Sequence, residues 1–483
     1  FKYMGLKDNL LRLYDYVYVL SENTVKGQRV PVYFYLSDKL FEHLEEDAIR
    51  QAANAATLPG VEKAIYVMPD VHVGYGFPVG GVMGVNTDEG VISPGSIGYD
   101  INCGVRLIAT HLSEERIRPI RQELMKEILS KVPAGVGSTG RLKLSKEQLK
   151  EVAIKGARWA VEHGFGLEED LLHIESSGTL ANADPDKVSN FAYERGSEEL
   201  GTVGSGNHFV EVQTVDEIYD EQIAKRLGLG KGQITIMVHS GSRGFGHQVC
   251  VDYLKVAKDA LEKYHIEIPD MQLACMPFKS KEGQDYFKAM NASANYAFAN
   301  RQILGFITAD TIRRFLGISW EELGYRVIYD LAHNIGKIEK YTIDGKEKEL
   351  LIHRKGATRA FPPYNPDVPP AYRDIGQPVL IPGDVGRYSF LLVGTHKSME
   401  ISFGSACHGA GRLMSRTKAK EYVKREGIEK VLEGLVVVAR GKTTVMEEVP
   451  QAYKDVTEVV RVVHELGIAK LVARFKPLGT LKG

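Results

Sequence analysis

Short, largely apolar and β-branched runs recur along the chain, and glycine, proline or polar residues bound each of them. Such runs are typical of strands that are buried on at least one face. They predict strands at residues 29–36, 64–68, 105–109, 209–212, 233–238, 326–329, 379–381, 390–393 and 435–439. Asp344-Gly345 predicts a hairpin within residues 338–354, since this dipeptide favours two-residue turns.

Apolar residues spaced three and four apart predict helices at residues 38 to about 56 and at about 115–131, 146–163, 185–198, 247–265, 282–316, 409–425 and 453–467. Helices and strands do not alternate as regularly as a doubly wound parallel sheet requires. We therefore predict an α+β fold with mixed β-sheets flanked by helices. No long linker and no fixed repeat divides the 483 residues, so we treat residues 1–483 as one large domain.

Charge and cysteine content limit the possible partners and the cellular compartment of the protein. Lysine plus arginine (61) nearly balance aspartate plus glutamate (62), so a polyanionic partner would have to be bound by a local basic patch. The four scattered cysteines do not suggest a disulfide framework, which favours a reducing cytoplasm. We find no apolar run of the roughly 18 residues that a membrane span needs, and no signal-peptide pattern at the start. We expect a cytoplasmic protein without a membrane segment.

Polar loops at the ends of the predicted strands carry the candidate chemistry. Taken alone, Asp100 and Cys103 are more typical of a turn aspartate beside a buried structural cysteine. His208, His239 and His333, however, also lie at strand ends, where loops gather into clefts. Further polar loops at strand ends are Met68-Pro-Asp-Val-His72 and the segment that begins with Cys407-His408.

The candidate metal ligands are one carboxylate, one thiolate and three imidazoles: Asp100, Cys103, His208, His239 and His333. Five ligands exceed the three or four protein ligands of a single tetrahedral site. Two metal ions about 3.5 to 4 Å apart that share the thiolate would use all five. Paired divalent ions serve phosphoryl and nucleotidyl transfer. Ligand softness alone favours zinc, and manganese remains open.

His408 precedes Gly409-Ala410-Gly411-Arg412 and a predicted helix. A glycine-rich turn at a helix start exposes N–H groups to phosphate, and Arg412 would add a forked donor. The imidazole is then a nucleophile that forms a phosphoramidate, a general base, or a histidine that only supports the site from a distance, and the residues alone do not decide among them. Basic residues near these loops indicate phosphate contacts with a nucleic acid, namely Arg195, Arg243, Arg354, Lys355, Arg359, Arg387 and Arg412.

Six motifs together resemble the RtcB family of RNA ligases. They are Gly-Tyr-Asp-Ile-Asn-Cys-Gly-Val-Arg (98–106), Gly-Ser-Gly-Asn-His-Phe (204–209), His-Ser-Gly-Ser-Arg-Gly (239–244), Ala-His-Asn-Ile-Gly (332–336), His-Arg-Lys-Gly-Ala-Thr-Arg-Ala (353–360) and Cys-His-Gly-Ala-Gly-Arg (407–412). The resemblance runs from about residue 57 to the C-terminus. We expect residues 1–56 to be a divergent segment that packs on the catalytic part.

The resemblance implies a ligase that uses GTP and two Mn²⁺ ions per chain to join RNA 2′,3′-cyclic phosphate or 3′-phosphate ends to 5′-hydroxyl ends, as in tRNA splicing and RNA repair. It also implies RNA partners such as tRNA halves, and archease as a possible activator. We expect a monomer.

The same resemblance implies roles for individual residues. His408 matches the guanylylated histidine, and Asp100, Cys103, His208, His239 and His333 match the metal ligands, with Cys103 as the bridge. The implied guanylate pocket comprises Asn207, His208, Phe209, Val210, Glu211, His333, Asn334, Pro382, Gly383, Asp384, Val385, Ser389, His408, Gly409, Ala410, Gly411, Tyr453 and Lys482.

One pocket loop departs from the family, which usually has Gly-Ser/Thr-Met-Gly-Thr where this chain has Gly383-Asp384-Val385-Gly386-Arg387. Asp384 would accept hydrogen bonds from guanine or pair with Arg387. Two other functions fit part of the pattern: a dinuclear phosphodiesterase, which needs no nucleotide pocket, and an RNA-binding protein without chemistry, which needs no metal ligands.

Overall fold

The computed structural model describes residues 5–134 and 142–483. The first four residues, on which part of the signal-peptide expectation falls, lie outside the described residues. The strands are β1 Leu11–Tyr14, β2 Val17–Leu20, β3 Val32–Tyr35, β4 Val61–His72, β5 Val79–Asn86, β6 Val91–Ile92, β7 Gly104–Ser113, β8 Phe209–Ile218, β9 Gln233–Ser240, β10 Met276–Pro277, β11 Arg326–Ala332, β12 Asn334–Ile343, β13 Lys346–Lys355, β14 Ala357–Arg359, β15 Pro378–Ile381, β16 Ser389–Gly394, β17 Ser405–Cys407, β18 Val437–Val438 and β19 Ala469–Lys482.

The α-helices are α1 Asp38–Glu42, α2 Glu46–Ala55, α3 Glu114–Ile117, α4 Arg121–Lys131, α5 Lys146–Lys155, α6 Ala157–Glu162, α7 Asn190–Gly196, α8 Glu221–Arg226, α9 Arg243–Lys263, α10 Lys281–Leu316, α11 Trp320–Leu323, α12 His396–Ile401, α13 Arg416–Glu426, α14 Ile428–Val431, α15 Lys442–Glu447 and α16 Val456–Glu465. Short 3-10 helices lie at Leu6–Asn9, Pro94–Ser96, Arg118–Ile120, Glu168–His173, Glu175–Gly178, Pro185–Lys187, Met271–Leu273, Pro370–Tyr372 and Pro450–Ala452.

Two large sheets organise the chain. The first sheet has the strand order β1-β2-β3-β4-β5-β13-β12, and the second has the order β11-β7-β9-β8-β19-β16-β15, with β18 beside β19. The pairs β3–β4 and β18–β19 are parallel, whereas the other neighbours in these sheets are antiparallel. The predicted α+β fold with mixed sheets is confirmed.

The second sheet collects strand ends at one edge, which we call the site edge. Val105 and Phe209, at the starts of β7 and β8, both lie opposite His239 near the end of β9. Ala332, the last residue of β11, lies opposite Gly104. Antiparallel pairing therefore places two strand starts and two strand ends side by side.

The small pair β14–β17 connects the first sheet to this edge. Ala357 lies opposite Cys407. The segment that follows β13 is thereby brought beside His408, and a Cβ atom on Gly356 would lie 2.9 Å from the His408 ring. A side chain at position 356 would crowd the imidazole, so the glycine is needed for this close approach.

Helix α10 crosses the interior, and most of its residues from Tyr286 to Ile312 are buried. Its buried polar residues Asn300 and Arg301 bond to loops at the site edge rather than to the helix itself. In the parts of the chain that the structure describes, no helix combines the length and apolar character needed to cross a membrane.

Several helices and strands of the structure are shorter than the sequence predicts, or are interrupted. The helices predicted at 38–56 and 146–163 are each interrupted, the second at Gly156, which has a positive φ of 60°. The helix predicted at 115–131 is divided by a 3-10 turn containing Pro119. The strands predicted at 29–36 and 435–439 shrink to β3 and β18.

The helix predicted at 409–425 begins only at Arg416, where the Ser415 hydroxyl caps it by accepting from the N–H of Lys418. The expectation that the glycine-rich turn after His408 opens a helix is therefore wrong. Gly411 has a positive φ of 78°, and its Cα lies so close to the carbonyl of Asp70 that a Cβ would come within 2.3 Å of that oxygen. Packing against Asp70, not a helix start, fixes this turn.

Candidate active site

The loop before β7 holds Asp100 and Cys103 in a tight turn. Asn102 adopts a left-handed conformation with φ 54°, which asparagine tolerates better than most residues. Its backbone N–H donates to the carbonyl of Asn334, and its side-chain amide donates to the carbonyl of Ala294 on α10. The N–H of Cys103 closes the turn by donating to the carbonyl of Asp100. The two side chains therefore reach the same region.

Five potential ligands meet at the site edge as two overlapping sets of three. One set is Asp100, Cys103 and His208, and the other is Cys103, His239 and His333. Within each set the ligand atoms lie within 4.8 Å of one another. The Cys103 sulfur belongs to both, at 3.2 Å from His208 Nε2 and 3.4 Å from His239 Nε2.

The donor chemistry fits a pair of divalent metal ions. His208 Nε2 lies 3.0 Å from the Asp100 carboxylate, and His239 Nε2 lies 3.4 Å from His333 Nε2. Burial lowers the pKa of His239 and of His333 well below the usual range, so both rings are neutral ligands with a free lone pair. Clustered lone pairs on buried nitrogen and sulfur repel one another unless cations separate them, so a metal centre accounts for this arrangement.

Arg301 of α10 ties the ligand loops together. Its guanidinium donates to the carbonyls of Asn102 and Ser240 at 2.7 and 3.0 Å, and to the Asn102 side-chain oxygen at 2.9 Å. It also forms a buried ion pair with Asp330 at 2.9 Å. The loop of Cys103, the end of β9 and the strand that leads to His333 therefore share one anchor.

A buried carboxylate orients His408. Asp70 Oδ2 lies 2.5 Å from His408 Nδ1, and it also accepts the backbone N–H groups of His408 and Gly409 at 3.0 and 3.1 Å. Burial alone would raise the pKa of Asp70, but the His408 ring and these N–H donors hold it below the usual value. With Nδ1 turned to an ionised acceptor, Nε2 is the nitrogen left for chemistry.

The His408 ring also faces the metal ligands. Its centroid lies 4.9 Å from that of His333, which in turn lies 5.2 Å from that of His239. All of these side chains line one cavity of about 800 Å³. The His408 imidazole thus lies beside the two ligand sets, in the same cavity.

Comparison with known proteins identifies the family. The family model described as tRNA-splicing ligase RtcB matches residues 51–483. The chain belongs to the RtcB family. It is 52% identical to the tRNA-splicing ligase RtcB of Archaeoglobus fulgidus over 99% of this chain and 100% of that protein. It is also 51% identical to that of Thermococcus kodakarensis (95% of this chain, 96% of that protein) and 47% identical to that of Methanococcus maripaludis (99% and 100%).

Within this RtcB fold, part of the implied guanylate pocket lines the cavity. The lining includes Asn207, His208, His333, Asn334, Pro382, His408, Gly409, Ala410, Gly411 and Tyr453. The Tyr453 hydroxyl donates to Glu448, and the Arg412 guanidinium packs 5.0 Å from the Tyr453 ring centroid. The ring is therefore held in place before any ligand arrives.

The other predicted pocket residues do not line the cavity in this structure. They are Phe209, Val210, Glu211, Gly383, Asp384, Val385, Ser389 and Lys482. Two hydrogen bonds join members of this group to cavity-lining segments: the Asn207 amide donates to the carbonyl of Gly383 at 3.1 Å, and Lys482 Nζ donates to the carbonyl of Gly206 at 2.6 Å. Their assignment to the guanylate pocket stays a prediction.

Asp384 is the most unusual of this group. Its carboxyl group is almost fully buried, and neither oxygen has a hydrogen-bond partner among the residues that the structure describes. The Arg387 guanidinium lies 3.6 Å away. Burial raises its pKa well above the usual value. A buried acceptor without donors is costly, which is consistent with a ligand that supplies N–H groups.

Of the predicted phosphate contacts, Arg195, Arg243, Lys355 and Arg412 line the cavity. Arg354 and Arg359 do not line it in this structure, and their assignment as phosphate contacts stays a prediction. Both are buried: Arg354 forms a forked pair with Glu339, and Arg359 donates to Gln377. The motif at 353–360 runs along β13 and β14, so alternate residues point into the protein instead of toward the cavity.

Sequence reasoning missed the role of Asp70. The loop from Met68 to His72 stood out only as one of several polar strand ends. Asp70 lies 338 positions before His408, and only the folded chain brings the two together. Arg416 was also missed: it lines the cavity with a largely exposed side chain.

Proposed function

We propose that this protein is a GTP-dependent RNA ligase that joins RNA 2′,3′-cyclic phosphate or 3′-phosphate ends to 5′-hydroxyl ends, in tRNA splicing and RNA repair. Family membership supports the reaction class. The observation that carries the mechanism is His408, held by Asp70 at Nδ1 and packed against His333 in the cavity. A phosphodiesterase with the same metal ligands would not need this oriented imidazole.

Two Mn²⁺ ions would be held by the two ligand sets, one by Asp100, Cys103 and His208 and the other by Cys103, His239 and His333. When bound, such ions neutralise phosphate oxygens and align attacking and leaving groups. The sulfur and nitrogen donors also suit zinc, so we propose zinc as a competing ion.

His408 Nε2 attacks the α-phosphorus of GTP, forming a P–N bond while pyrophosphate leaves with the electrons of the broken P–O bond. The Asp70 carboxylate holds the proton on His408 Nδ1 and stabilises the positive charge that develops on the ring during the attack. Covalent attachment divides one displacement into two easier ones.

The later steps use RNA. Water first opens a cyclic phosphate to a 3′-phosphate. An oxygen of the 3′-phosphate then attacks the guanylate phosphorus, releases His408 and gives RNA-(3′)pp(5′)G. Finally the 5′-hydroxyl attacks the 3′-phosphorus, forms the new phosphodiester and expels GMP.

The remaining assignments concern binding. We propose that Glu211 and Asp384 accept N–H groups of guanine once the contacts of Asn207 and Lys482 open, and that Tyr453 stacks near the base. Arg195, Arg243, Lys355 and Arg412 would contact RNA phosphates. A monomer in the cytoplasm, acting on tRNA halves and activated by an archease, completes the proposal.

Intact mass of the protein after incubation with GTP and Mn²⁺ tests the proposal directly. We expect one added GMP, acid-labile and absent from His408→Ala. Cys103→Ala should lose bound metal and the adduct, whereas Cys275→Ala, which alters another buried cysteine outside the ligand sets, should keep both.

Ligation of an RNA with a cyclic phosphate to a 5′-hydroxyl RNA then tests the whole reaction. Hydrolysis of phosphodiesters without any GMP adduct would instead support the dinuclear phosphodiesterase and overturn the ligase.

A further inference from the structure

Three aromatic rings stand together beside the metal ligands. The rings of Tyr99 and His247 are stacked, with centroids 4.9 Å apart and planes at 29°, and Tyr75 meets Tyr99 edge to face at 5.3 Å. Tyr99 and His247 both line the cavity, and His247 is exposed. We call Tyr75, Tyr99 and His247 the aromatic platform.

Hydrogen bonds hold the platform in place. Lys355 Nζ donates to the carbonyls of Tyr75 and Gly95 at 2.7 and 3.0 Å, which fixes both loops that carry the tyrosines. Arg195 donates to His247 Nδ1 at 3.0 Å. Little conformational freedom is lost when a planar ligand settles on rings that are already fixed.

The surroundings favour an anionic, aromatic ligand. Arg195 and Arg243 line the same cavity as the platform, and Tyr99 directly precedes the potential ligand Asp100. Although much of the side chain is exposed, partial desolvation and the neighbouring Arg195 lower the pKa of His247, so the imidazole is a neutral ring near pH 7. Flat rings beside arginines are the usual means of binding single-stranded nucleic acid.

We propose that the aromatic platform stacks an unpaired nucleobase of the RNA strand whose end is joined, with the arginines on its phosphates. The inference rests on the proposed RNA ligase function and adds a base-binding subsite to it. Stacking on a π face does not depend on base identity, so the subsite positions RNA ends of any sequence. The base belongs either to the 5′-hydroxyl strand or to the 3′-phosphate strand.

Binding of short, fluorescently labelled single-stranded RNAs to the full chain tests the platform. One RNA carries a 5′-hydroxyl and the other a 3′-phosphate, and each is also made with an abasic nucleotide at that end. The variants are His247→Ala, His247→Phe and the control Tyr364→Ala, an exposed tyrosine outside the cavity lining.

For one of the two strands, we expect His247→Ala to weaken binding about tenfold, the loss of one base stack. The abasic nucleotide should weaken binding to the unmodified protein equally, and His247→Ala should then cause no further loss. His247→Phe, which keeps the ring but not the Arg195 contact, should restore binding. The responding strand identifies the bound end.

Unchanged affinity of His247→Ala for both RNAs would overturn the platform. So would an equal loss on normal and abasic RNA, because the ring would then not act through the base. Weaker binding of GTP by His247→Ala, without any change in its RNA affinity, would also overturn the proposal, because the rings would then bind the guanine nucleotide. Failure of the proposed function is separate, since it appears as no GMP adduct on the unmodified protein.

Discussion

At the residue scale, the contact between Asp70 and His408 decides which imidazole nitrogen keeps a free lone pair. The carboxylate lies against Nδ1 and is itself held by two backbone N–H groups. Neutral imidazole carries one proton, and an anionic acceptor at Nδ1 keeps that proton there. Nε2 consequently keeps its lone pair.

Asp70→Asn should leave the fold intact but slow guanylylation by about 10²-fold or more, because an amide donor at Nδ1 favours the wrong tautomer. The rate of GMP adduct formation at saturating GTP measures the effect. Asp88→Asn, at an exposed surface position, is the control. An unchanged rate in Asp70→Asn would contradict the orienting role.

Glu211 gives the fold a pH dependence. Burial raises its pKa to about 7, although Gln213 and Thr480 hydrogen-bond the carboxylate. The unfolded chain releases this proton near pH 4.5, whereas the folded chain keeps it up to about 7. The folded state thus binds more protons within that window, and its stability falls as pH rises through it.

Glu211→Gln should remove this loss, which amounts to about 3 kcal/mol between pH 4.5 and 7. Urea unfolding at several pH values compares the variant with the unmodified protein. Glu217→Gln, on the same strand but partly exposed, should keep the original pH profile. Parallel profiles for Glu211→Gln and the unmodified protein would show that Glu211 is ionised throughout.

At the scale of elements, α10 connects the ligand-bearing loops. Arg301 bonds to the Asn102 turn, the end of β9 and Asp330, and Asn300 bonds to the carbonyls of Thr202 and Gly241. A single helix therefore sets the relative positions of segments more than 200 residues apart in sequence.

Arg301→Lys keeps the charge but not the forked geometry, so several buried acceptors lose their donors. We expect a loss of about 3 kcal/mol in the free energy of unfolding and reduced metal content. Denaturant titration and metal analysis measure both. Arg314→Lys, an exposed arginine of the same helix, should change neither.

The sequence predicted elements well where the pattern was long and local. The hairpin at Asp344-Gly345 is confirmed as β12 and β13, and the long helix predicted at 282–316 is α10 almost to the residue. The predicted helix start at Gly409 was wrong, because a glycine-rich segment has no hydrophobic periodicity and the conformation of this one is fixed by packing against Asp70. Strand β19 was missed because Pro477 and Gly479 interrupt its apolar run.

In the candidate site, too, residues in local motifs were predicted, whereas features that depend on distant contacts were not. Cys103 and its four partners were named from strand ends and motifs, and the fold brings them together. The sequence could not show that Arg354 and Arg359 lie away from the cavity lining, because the strand register that decides which way each side chain faces is set by distant pairings. Asp70 was missed for a related reason: it lies in β4, whereas its partner His408 follows β17, 338 residues later.

At the scale of the whole molecule, residues 5–56 belong to the first sheet. Strands β1 to β3 extend it, and β3 pairs in parallel with β4. Phe34, Leu36 and Ile49 share one buried core with residues of the later segments. The segment is therefore an integral edge of this sheet, and the single domain stays a prediction.

Removal of residues 1–56 should therefore prevent stable folding, because the paired edge of β4 and its apolar face would meet water. Circular dichroism and thermal unfolding of the chain 57–483 measure this. A cooperative transition at the midpoint of the full chain would show that the motif-bearing part folds alone.

The shared sulfur of Cys103 makes the site vulnerable at a single atom. Both ligand sets use it, so its oxidation to a sulfinic acid would remove a donor from each at once. Peroxide treatment should release all bound metal in one step rather than two. A centre in which each ligand set had its own sulfur would instead lose its metal in stages, so sharing one donor makes loss of the two sets simultaneous.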